Sequence, residues 1–283
     1  MNLLFEPFIN NTFLLRALIA GILVSISCGI VGTFVVLRGL AFIGDALAHG
    51  VLPGIAVAIL LGIPGIIGAS VGALVMVGGI SLITRRSQLS SDTAIGLLFV
   101  GMLALGVVIV SRSTSFTGDI VRVLFGEILG INSQAVIVQL IATLVLGGAA
   151  VVCARPFLLL CFNPEQAQVS GFSPRIYHNI MLAMIAIAVI VSFQTVGTLL
   201  VFGMLLAPAG AGALLARRIE AMMAWAALIG SVSVYTGLLA SYYFDLAAGS
   251  SIVLVATILF FFVLAAKNRQ IARSQPEGNS IHE

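Results

Sequence analysis

Residues 38–54 read R-G-L-A-F-I-G-D-A-L-A-H-G-V-L-P-G, and they place Asp45 and His49 inside a segment that is otherwise apolar up to Gly62. The run from Gly39 to Gly62 is long enough to cross a bilayer as a helix. Residues four apart lie on the same face of a helix, so both side chains would project from one side of the span. A charged group inside a spanning helix costs roughly 2.5–3.5 kcal/mol even on the insertion scale. The pattern therefore predicts a polar pathway or site that faces the interior of a helix bundle.

Pro53 adds a backbone oxygen to this pair. Proline has no N–H, so within a helix it leaves the carbonyl of His49 without its usual partner. A carboxylate, an imidazole and a spare carbonyl suit a divalent first-row cation such as Mn²⁺, Fe²⁺ or Zn²⁺. The same two side chains could instead bond to each other, as a packing contact or a proton relay. The spacing alone leaves these interpretations open.

Composition indicates an integral membrane protein. Of the 283 residues, 60% are hydrophobic and 8% are charged, whereas soluble domains carry about 25% charged residues. Long uncharged runs follow one another along the chain, so we expect a single transmembrane domain, residues 1–283. No G-x-x-x-x-G-K-[ST] pattern is present, which predicts that any ATP-driven step needs another subunit. We expect a transport subunit that is not an enzyme, lies in lipid and binds no nucleic acid. The amino terminus lacks the basic and short apolar regions of a removable signal peptide, so we expect none.

The hydrophobic pattern predicts an all-α, polytopic chain with about nine transmembrane helices. The stretch from Tyr177 to Leu215 is uncharged and long enough for two spans, with a break near Ser192–Gly197. If it holds one span and a half-helix, the total is eight. The nine spans run over about residues 12–37, 39–62, up to 84, 93–111, 133–154, two within 177–215, 221–244 and 247–266.

Three other segments carry polar residues. Residues 112–132 are too charged to span and too apolar for a plain linker, which favours a short interfacial or re-entrant helix. Residues 163–175 contain Asn163-Pro164-Glu165, which is typical of a helix start, with Gly171 as its stop. This predicts a surface helix of barely two turns that could dock into another subunit, although an ordinary loop helix fits equally well. The tail, residues 267–283, is expected to be disordered.

The basic residues predict the orientation of the spans. With nine spans and a cytoplasmic carboxyl terminus, the outer side keeps only Arg16, Arg112 and Arg122 of the 13 basic residues. Cytoplasmic loops are enriched in Lys and Arg, so this arrangement is favoured. Residues 163–175 then lie in the cytoplasm, and Arg112 and Arg122 lie outside, where they could pair with acids of an external protein. The inner side holds Arg38, Arg85, Arg86, Arg155, Arg175, Arg217, Arg218, Lys267, Arg269 and Arg273.

Three stretches resemble the permeases of manganese, zinc and iron ABC transporters. They are F-V-V-L-R-G-L-A-F-I-G-D-A-L-A-H-G-V-L-P-G-I-A (residues 34–56), E-Q-A-Q-V-S-G-F (residues 165–172) and V-G-T-L-L-V-F-G-M-L-L-A-P-A-G-A-G-A-L-L-A-R-R (residues 196–218). The resemblance covers nearly the whole chain. It implies a fold like that of type II ABC importers, in a bacterial cell membrane, with the chain paired with a second copy. It also implies a cytoplasmic ATP-binding subunit and an extracytoplasmic metal-binding protein as partners.

The resemblance also assigns roles to residues. Asp45 and His49 match the acid and histidine of the family motif, so they are the expected metal residues, with Mn²⁺, Zn²⁺ or Fe²⁺ as substrate and no permanent cofactor. The second stretch resembles the segment that couples the permease to its ATPase. Its matching residues here are Glu165, Gln166, Ala167, Val169 and Gly171.

Two rival functions fit parts of the sequence. The first is a proton-coupled secondary metal transporter that uses Asp45 and His49 as a proton relay. Such transporters often contain inverted repeats, and we detect none in this chain. The second is an intramembrane enzyme, for which a set such as H-E-x-x-H would be expected and is missing from the sequence.

Overall fold

The structure is a computed structural model that describes residues 6–9, 11–87, 89–111 and 128–274. Its regular elements in those ranges are all helical, as the sequence predicts. Residues 6–9 form a helical turn, and Ile128–Gly130 is a short 3₁₀ turn. The helices are α1 (Thr12–Leu37), α2 (Ile43–Gly50), α3 (Leu52–Leu60), α4 (Gly65–Arg86), α5 (Ser91–Ser111), α6 (Ser133–Val152), α7 (Ala154–Phe162), α8 (Pro164–Val169), α9 (Pro174–Val196), α10 (Thr198–Leu215), α11 (Ile219–Phe244) and α12 (Ala248–Ser274).

Nine helical segments within the described residues are long and apolar enough to cross a bilayer, and α2 with α3 makes one of them. Nine spans rather than eight follow from the division of the stretch between Tyr177 and Leu215 into α9 and α10. The division falls at Gly197, whose φ of 84° lies in the left-handed region. Glycine adopts this conformation without the steric cost of a Cβ, so the helix breaks there.

Helix α1 lies at the centre of the bundle and packs against α6, α9, α10 and α11. Its small residues recur every four positions and allow close approach. Gly21 faces Val234 of α11, Gly29 faces the backbone of the same helix, and Ser25 donates a hydrogen bond of 3.2 Å to the carbonyl of Ala227. This stripe of small residues is therefore the contact between α1 and α11.

A second stripe of small residues joins α3 to α4. A Cβ placed on Gly54 would lie 2.0 Å from the carbonyl oxygen of Gly68, and one on Gly68 would lie 2.2 Å from that of Gly54. Real side chains do not tolerate such distances, so the two backbones are in direct contact. Gly50, at the end of α2, faces Met76 of α4. This contact fixes the span that carries Asp45 and His49 against its neighbour.

Most of the described basic side chains lie at one end of the bundle, which we call the basic end. Three contacts bring its helices together: Arg38 reaches the carbonyl of Leu160, Ser81 donates to Asn179, and Lys267 donates to the carbonyl of Leu214. The positive-inside rule predicts that this end faces the cytoplasm. It comprises Arg38, Arg86, Arg155, Arg175, Arg217, Arg218 and Lys267.

Two expected boundaries were wrong, and one helix was not predicted. The second span begins at Ile43 and not at Gly39, because Arg38–Phe42 forms a turn with Gly39 at φ 65°. Helix α7 was not predicted, and it forms because its buried Phe157 and Leu160 pack against the bundle. The tail is not disordered from residue 267, since α12 continues to Ser274. Residues 275–283 lie outside the described residues.

Candidate functional site

Asp45 and His49 meet, as their spacing predicts. Their Oδ1 and Nε2 atoms are 3.4 Å apart, and the two side chains keep 37% and 22% of their surface exposed. They form the one acid–base pair within 4 Å among the residues that the structure describes. A histidine and a carboxylate at this distance can bind a cation together or pass a proton. The geometry is compatible with both chemistries.

The short helix α2 sets the positions of both side chains. Asp45 lies in its first turn and His49 in its last turn. A helix favours negative charge at its amino end, so the carboxylate of Asp45 is matched to its position. Gly44 lets α2 approach Leu205 of α10 closely. The pair is thus held between α4, α5, α9 and α10.

The span is divided just after His49, at Val51. Val51 lies between α2 and α3 with helical dihedral angles, donates to the carbonyl of Leu47 over 3.2 Å and accepts from Ile55 over 3.0 Å. Pro53 has no N–H to offer the carbonyl of His49, so the helical bond expected there cannot form. The ring of Pro53 lies against Gly106 of α5. The interruption therefore follows from the proline, as the sequence predicts.

The imidazole of His49 has two different sides. Nε2 faces Asp45, while Nδ1 is buried and has no hydrogen-bond partner among the described residues. The ring packs edge-on against Phe99 of α5, with centroids 5.8 Å apart and planes at 61°. Phe99 therefore restricts how the ring can turn. A buried, unpaired ring nitrogen is costly and is more typical of a functional site than of packing.

The pair lies in the half of its span that is nearer the basic end. Asp45 is the third and His49 the seventh residue of Ile43–Leu60, an 18-residue segment. At about 1.5 Å per residue the two side chains start roughly 3 Å and 9 Å along a helix of about 27 Å. A site at this depth is close to the side that the basic residues assign to the cytoplasm.

One chain supplies few ligands. Among the described residues there is no group of three or more His, Cys, Asp or Glu side chains placed to hold a metal ion. Divalent transition metals usually take four to six ligands. Asp45 and His49 of one chain can supply only part of such a shell.

The predicted surface helix is α8, and it is shorter than residues 163–175. Asn163 accepts from the backbone N–H groups of Glu165 and Gln166, at 3.1 and 3.0 Å, as a helix cap does. Gly171 ends the turn with φ 83°, while Pro174 and Arg175 already belong to α9. Among the coupling residues implied by the resemblance, Glu165 and Gln166 are exposed. Ala167 is 1% exposed, and Val169 is 89% exposed.

The turn after α8 connects to the bundle through aromatic rings. Phe172 packs on Tyr177 at 5.6 Å, Tyr177 on Phe157 at 6.4 Å, and Phe157 on Phe34 at 5.0 Å, measured between ring centroids. Phe34 lies in α1, four residues before Arg38. The rings form a continuous contact between the surface helix and the segment that leads to Asp45. A cavity of about 620 Å³ lies beside α8, between Glu165 and Arg175.

A second polar cluster lies inside the bundle, and its central residue was not predicted. Gln139 of α6 donates to Ser27 of α1 at 3.3 Å and to Ser192 of α9 at 3.4 Å, and it accepts from Thr195 at 3.4 Å. Ser27 also bonds Thr143 at 2.7 Å. The visible signal was a glutamine within an apolar span. Ser192 and Thr195 therefore join α9 to α6 through Gln139.

Two predicted residues cannot be placed. Arg112 and Arg122, the candidates for binding an external protein, lie outside the described residues. The expected interfacial helix falls largely in the same part of the chain.

Comparison with known proteins identifies the family. The ABC 3 transport family matches residues 10–267. The manganese transport system membrane protein MntC of Listeria monocytogenes is 35% identical over 267 residues, which cover 94% of this chain and 95% of that protein. The chelated iron transport system membrane protein YfeD of Yersinia pestis is 35% identical, over 94% of this chain and 89% of that protein. Among solved structures, PsaBC from Streptococcus pneumoniae in complex with Fab matches with a TM-score of 0.83 and 32% identity, over 95% of this chain and 99% of the other.

These matches agree with the architecture. The family match covers nearly the whole chain, and the solved structure shares the arrangement of the helices. The resemblance of the residue 34–56 motif to ABC permeases is thereby confirmed, together with the all-helical, multi-pass fold. The chain belongs to the ABC 3 transport family.

Proposed function

We propose that the chain is the membrane-spanning permease subunit of an ATP-driven importer of a divalent transition metal, in a bacterial cell membrane. The observation that carries the proposal is the Asp45–His49 pair, two ionisable side chains 3.4 Å apart beside a proline break in a spanning helix. Family membership supports the ABC mechanism, in which a separate cytoplasmic subunit hydrolyses ATP.

The donor atoms favour a transition metal over Mg²⁺ or Ca²⁺. A carboxylate offsets the charge of a cation that has lost water, and an imidazole nitrogen discriminates against ions that prefer oxygen. The names of the two relatives quoted above refer to manganese and to chelated iron. We therefore expect Mn²⁺ or Fe²⁺ as the substrate, with Zn²⁺ as the third ion that the donor set accepts.

A second copy of the chain would complete the site. Asp45 keeps more than a third of its surface exposed although it lies in a spanning helix. A carboxylate facing lipid is costly, so the exposed side must face water or another protein surface. Two copies that meet at this face would bring two carboxylates and two imidazoles together. That set reaches the four ligands that one chain lacks.

Helix α8 is the proposed contact for the ATP-binding subunit. It lies at the basic end, and Val169 presents an apolar side chain almost fully to solvent. Exposed apolar side chains on a surface helix are typical of contacts with a partner. The aromatic contacts from Phe172 to Phe34 would carry a displacement of α8 to α1 and towards Asp45. The extracytoplasmic metal-binding protein would deliver the ion at the opposite end, with Arg112 and Arg122 as candidate contacts.

The test is uptake of radiolabelled Mn²⁺, Fe²⁺ and Zn²⁺ by cells that express the full transporter, with wild-type chain or Asp45→Asn. The matched control is Asp92→Asn, the same change at an exposed position at the start of α5. We expect Asp45→Asn to abolish uptake at unchanged expression and Asp92→Asn to leave it intact. Full uptake by Asp45→Asn would contradict the proposal.

The energy source separates the proposal from its main rival. An ATP-driven importer keeps working when a protonophore removes the proton gradient while ATP is maintained, and it stops when the partner ATPase is inactivated. A proton-coupled transporter that uses Asp45 and His49 as a relay would show the reverse pattern. The family match favours the first outcome.

A further inference from the structure

A second polar cavity lies at the basic end, away from the Asp45–His49 pair. Its volume is about 230 Å³, far more than the order of 15 Å³ that one water needs. Residues from the ends of five helices surround it. The lining is formed by Arg38, Ser81, Thr84, Ser91, Leu160, Pro174, Arg175, His178 and Asn179.

Arg38 is a cation with no acidic partner among the described residues. Its Nη1 donates to the carbonyl of Leu160 at 2.7 Å, and its Nη2 donates to Nδ1 of His178 at 3.2 Å. A guanidinium carries five N–H donors, so further donors remain for a ligand. No carboxylate lies within 4 Å of it in the described part of the chain. Burial lowers the pKa of Arg38, and the nearby sulfur of Cys161 raises it by a smaller amount.

The rest of the lining adds to the positive potential. Arg175 supplies a second cationic side chain. Helices α5 and α9 begin at Ser91 and Pro174, both of which line the cavity. The amino end of a helix carries partial positive charge. Asn179 accepts from Ser81 at 3.0 Å through its oxygen, which leaves its amide N–H₂ group as a donor. Asp92, which follows the lining residue Ser91, is exposed and does not line the cavity.

We propose that this cavity binds a phosphate-bearing anion, and that its source in the membrane is the headgroup of an acidic phospholipid. The planar fork of an arginine matches phosphate oxygens, and it holds them more strongly when it is partly removed from water. Basic pockets between spanning helices on the cytoplasmic side bind acidic headgroups in other membrane proteins. The cavity lies where α1, α4 and α9 end or begin, and the ends of spanning helices are expected at the level of the headgroups.

The site would connect lipid composition to the transport pathway. Arg38 ends α1 and opens the turn that leads into α2, seven residues before Asp45. It also contacts α7 and α9, the helices on either side of α8. A bound phosphate would neutralise Arg38 and hold these elements together. The proposal does not depend on which metal is carried.

Binding can be measured by native mass spectrometry of the full-length chain in detergent, with equal amounts of phosphatidylglycerol and phosphatidylcholine added. We expect wild-type chain to retain phosphatidylglycerol in preference. Arg38→Gln and Arg175→Gln should each weaken that retention roughly tenfold, which is the scale of losing one hydrogen bond to a charged group. The control is Arg217→Gln, an exposed arginine at the same end that does not line the cavity.

Each result decides between the alternatives. Equal retention of both lipids would overturn the lipid proposal, because it would show that the acidic headgroup is not recognised. An equal loss in Arg217→Gln would overturn it in favour of diffuse charge attraction. Inorganic phosphate, added alone, tests the other source: a rise in melting temperature that both cavity variants lose would assign the anion to the solvent. If Arg38→Gln fails to fold because the bond to Leu160 is missing, Arg175→Gln still decides, since its side chain is exposed.

Discussion

The polar cluster around Gln139 and the Asp45–His49 pair both lie within spanning helices. They differ in how many of their polar atoms have a hydrogen-bond partner. Around Gln139, the side chains of Ser27, Thr143, Ser192 and Thr195 are buried, neutral and bonded to one another across three helices. Asp45 and His49 are ionisable and partly exposed, and Nδ1 of His49 is unpaired.

This difference distinguishes polar side chains that hold helices together from polar side chains that can bind a ligand. In lipid an unsatisfied polar group is expensive, so a network that satisfies itself holds helices together and offers nothing to a ligand. A pair with exposed surface and spare electron pairs retains the capacity to bind. The following substitutions test this distinction.

The largest effect should follow from His49→Leu. Removal of the imidazole takes away one of the two proposed ligands, so we expect metal uptake to fall at least about 100-fold, or roughly 2.7 kcal/mol in transport efficiency. Thermal stability should not fall, because the lost Nδ1 had no partner. Metal uptake and the melting temperature are both measured for His49→Leu. A large loss of stability would show that His49 is a structural residue.

Gln139→Leu should produce the opposite pattern. It breaks bonds to Ser27, Ser192 and Thr195 and leaves their hydroxyl groups in an apolar interior, so we expect a loss of about 1–2 kcal/mol in the free energy of unfolding. Uptake per folded molecule should stay near the wild-type value. Leu140→Ala, an exposed position on the same helix, provides the reference for a change that breaks no bond. Selective loss of transport at full stability would contradict the structural role.

Phe99→Leu tests how the orientation of His49 affects the Asp45–His49 pair. The ring of Phe99 limits how His49 can turn, so its loss should misplace Nε2 without removing it. We expect uptake to fall by about fivefold, between wild-type chain and His49→Leu. Uptake measured over a range of metal concentrations should show the change mainly in the maximal rate. Phe261→Leu, at an exposed position of α12, is the control.

Ser27→Ala should have the smallest effect. It removes the 2.7 Å bond to Thr143 and the weaker bond to Gln139, but Thr143 keeps a bond to the carbonyl of Gln139 at 2.7 Å. The expected loss is about 0.5–1 kcal/mol of stability, with uptake unchanged. Denaturation of the two purified variants, Ser27→Ala and Gln139→Leu, measures which of them loses more stability. A larger loss than in Gln139→Leu would place the centre of the network at Ser27.

Much of this architecture follows from local chemistry. The bounds of α1 were predicted because Asn11 and Arg38 enclose one apolar run, and α8 was predicted because Asn163 and Pro164 form a recognisable helix start. The Asp45–His49 contact follows from helical periodicity alone. Each of these features depends on residues within a few turns of one another.

Other features depend on distant residues. Gln139 looked like an isolated polar residue because its partners are 53 to 112 positions away in the chain. Helix α7 has nine residues, which are too few for a span. It forms because Phe157 packs against Phe34 and Tyr177. The second copy that we propose to complete the metal site was implied by the family resemblance and by no local pattern of residues.

The direct backbone contact between Gly54 and Gly68 also matters for how the chain enters the bilayer during synthesis. The span with Asp45 and His49 has a mean hydropathy of 1.7, against 2.2 for the span formed by α4. A turn of only four residues, 61–64, separates the two. We expect them to leave the translocon as one hairpin, so that the more hydrophobic helix carries the polar one into lipid. A bulky residue at either glycine would then reduce the amount of inserted protein before it affected any transport step.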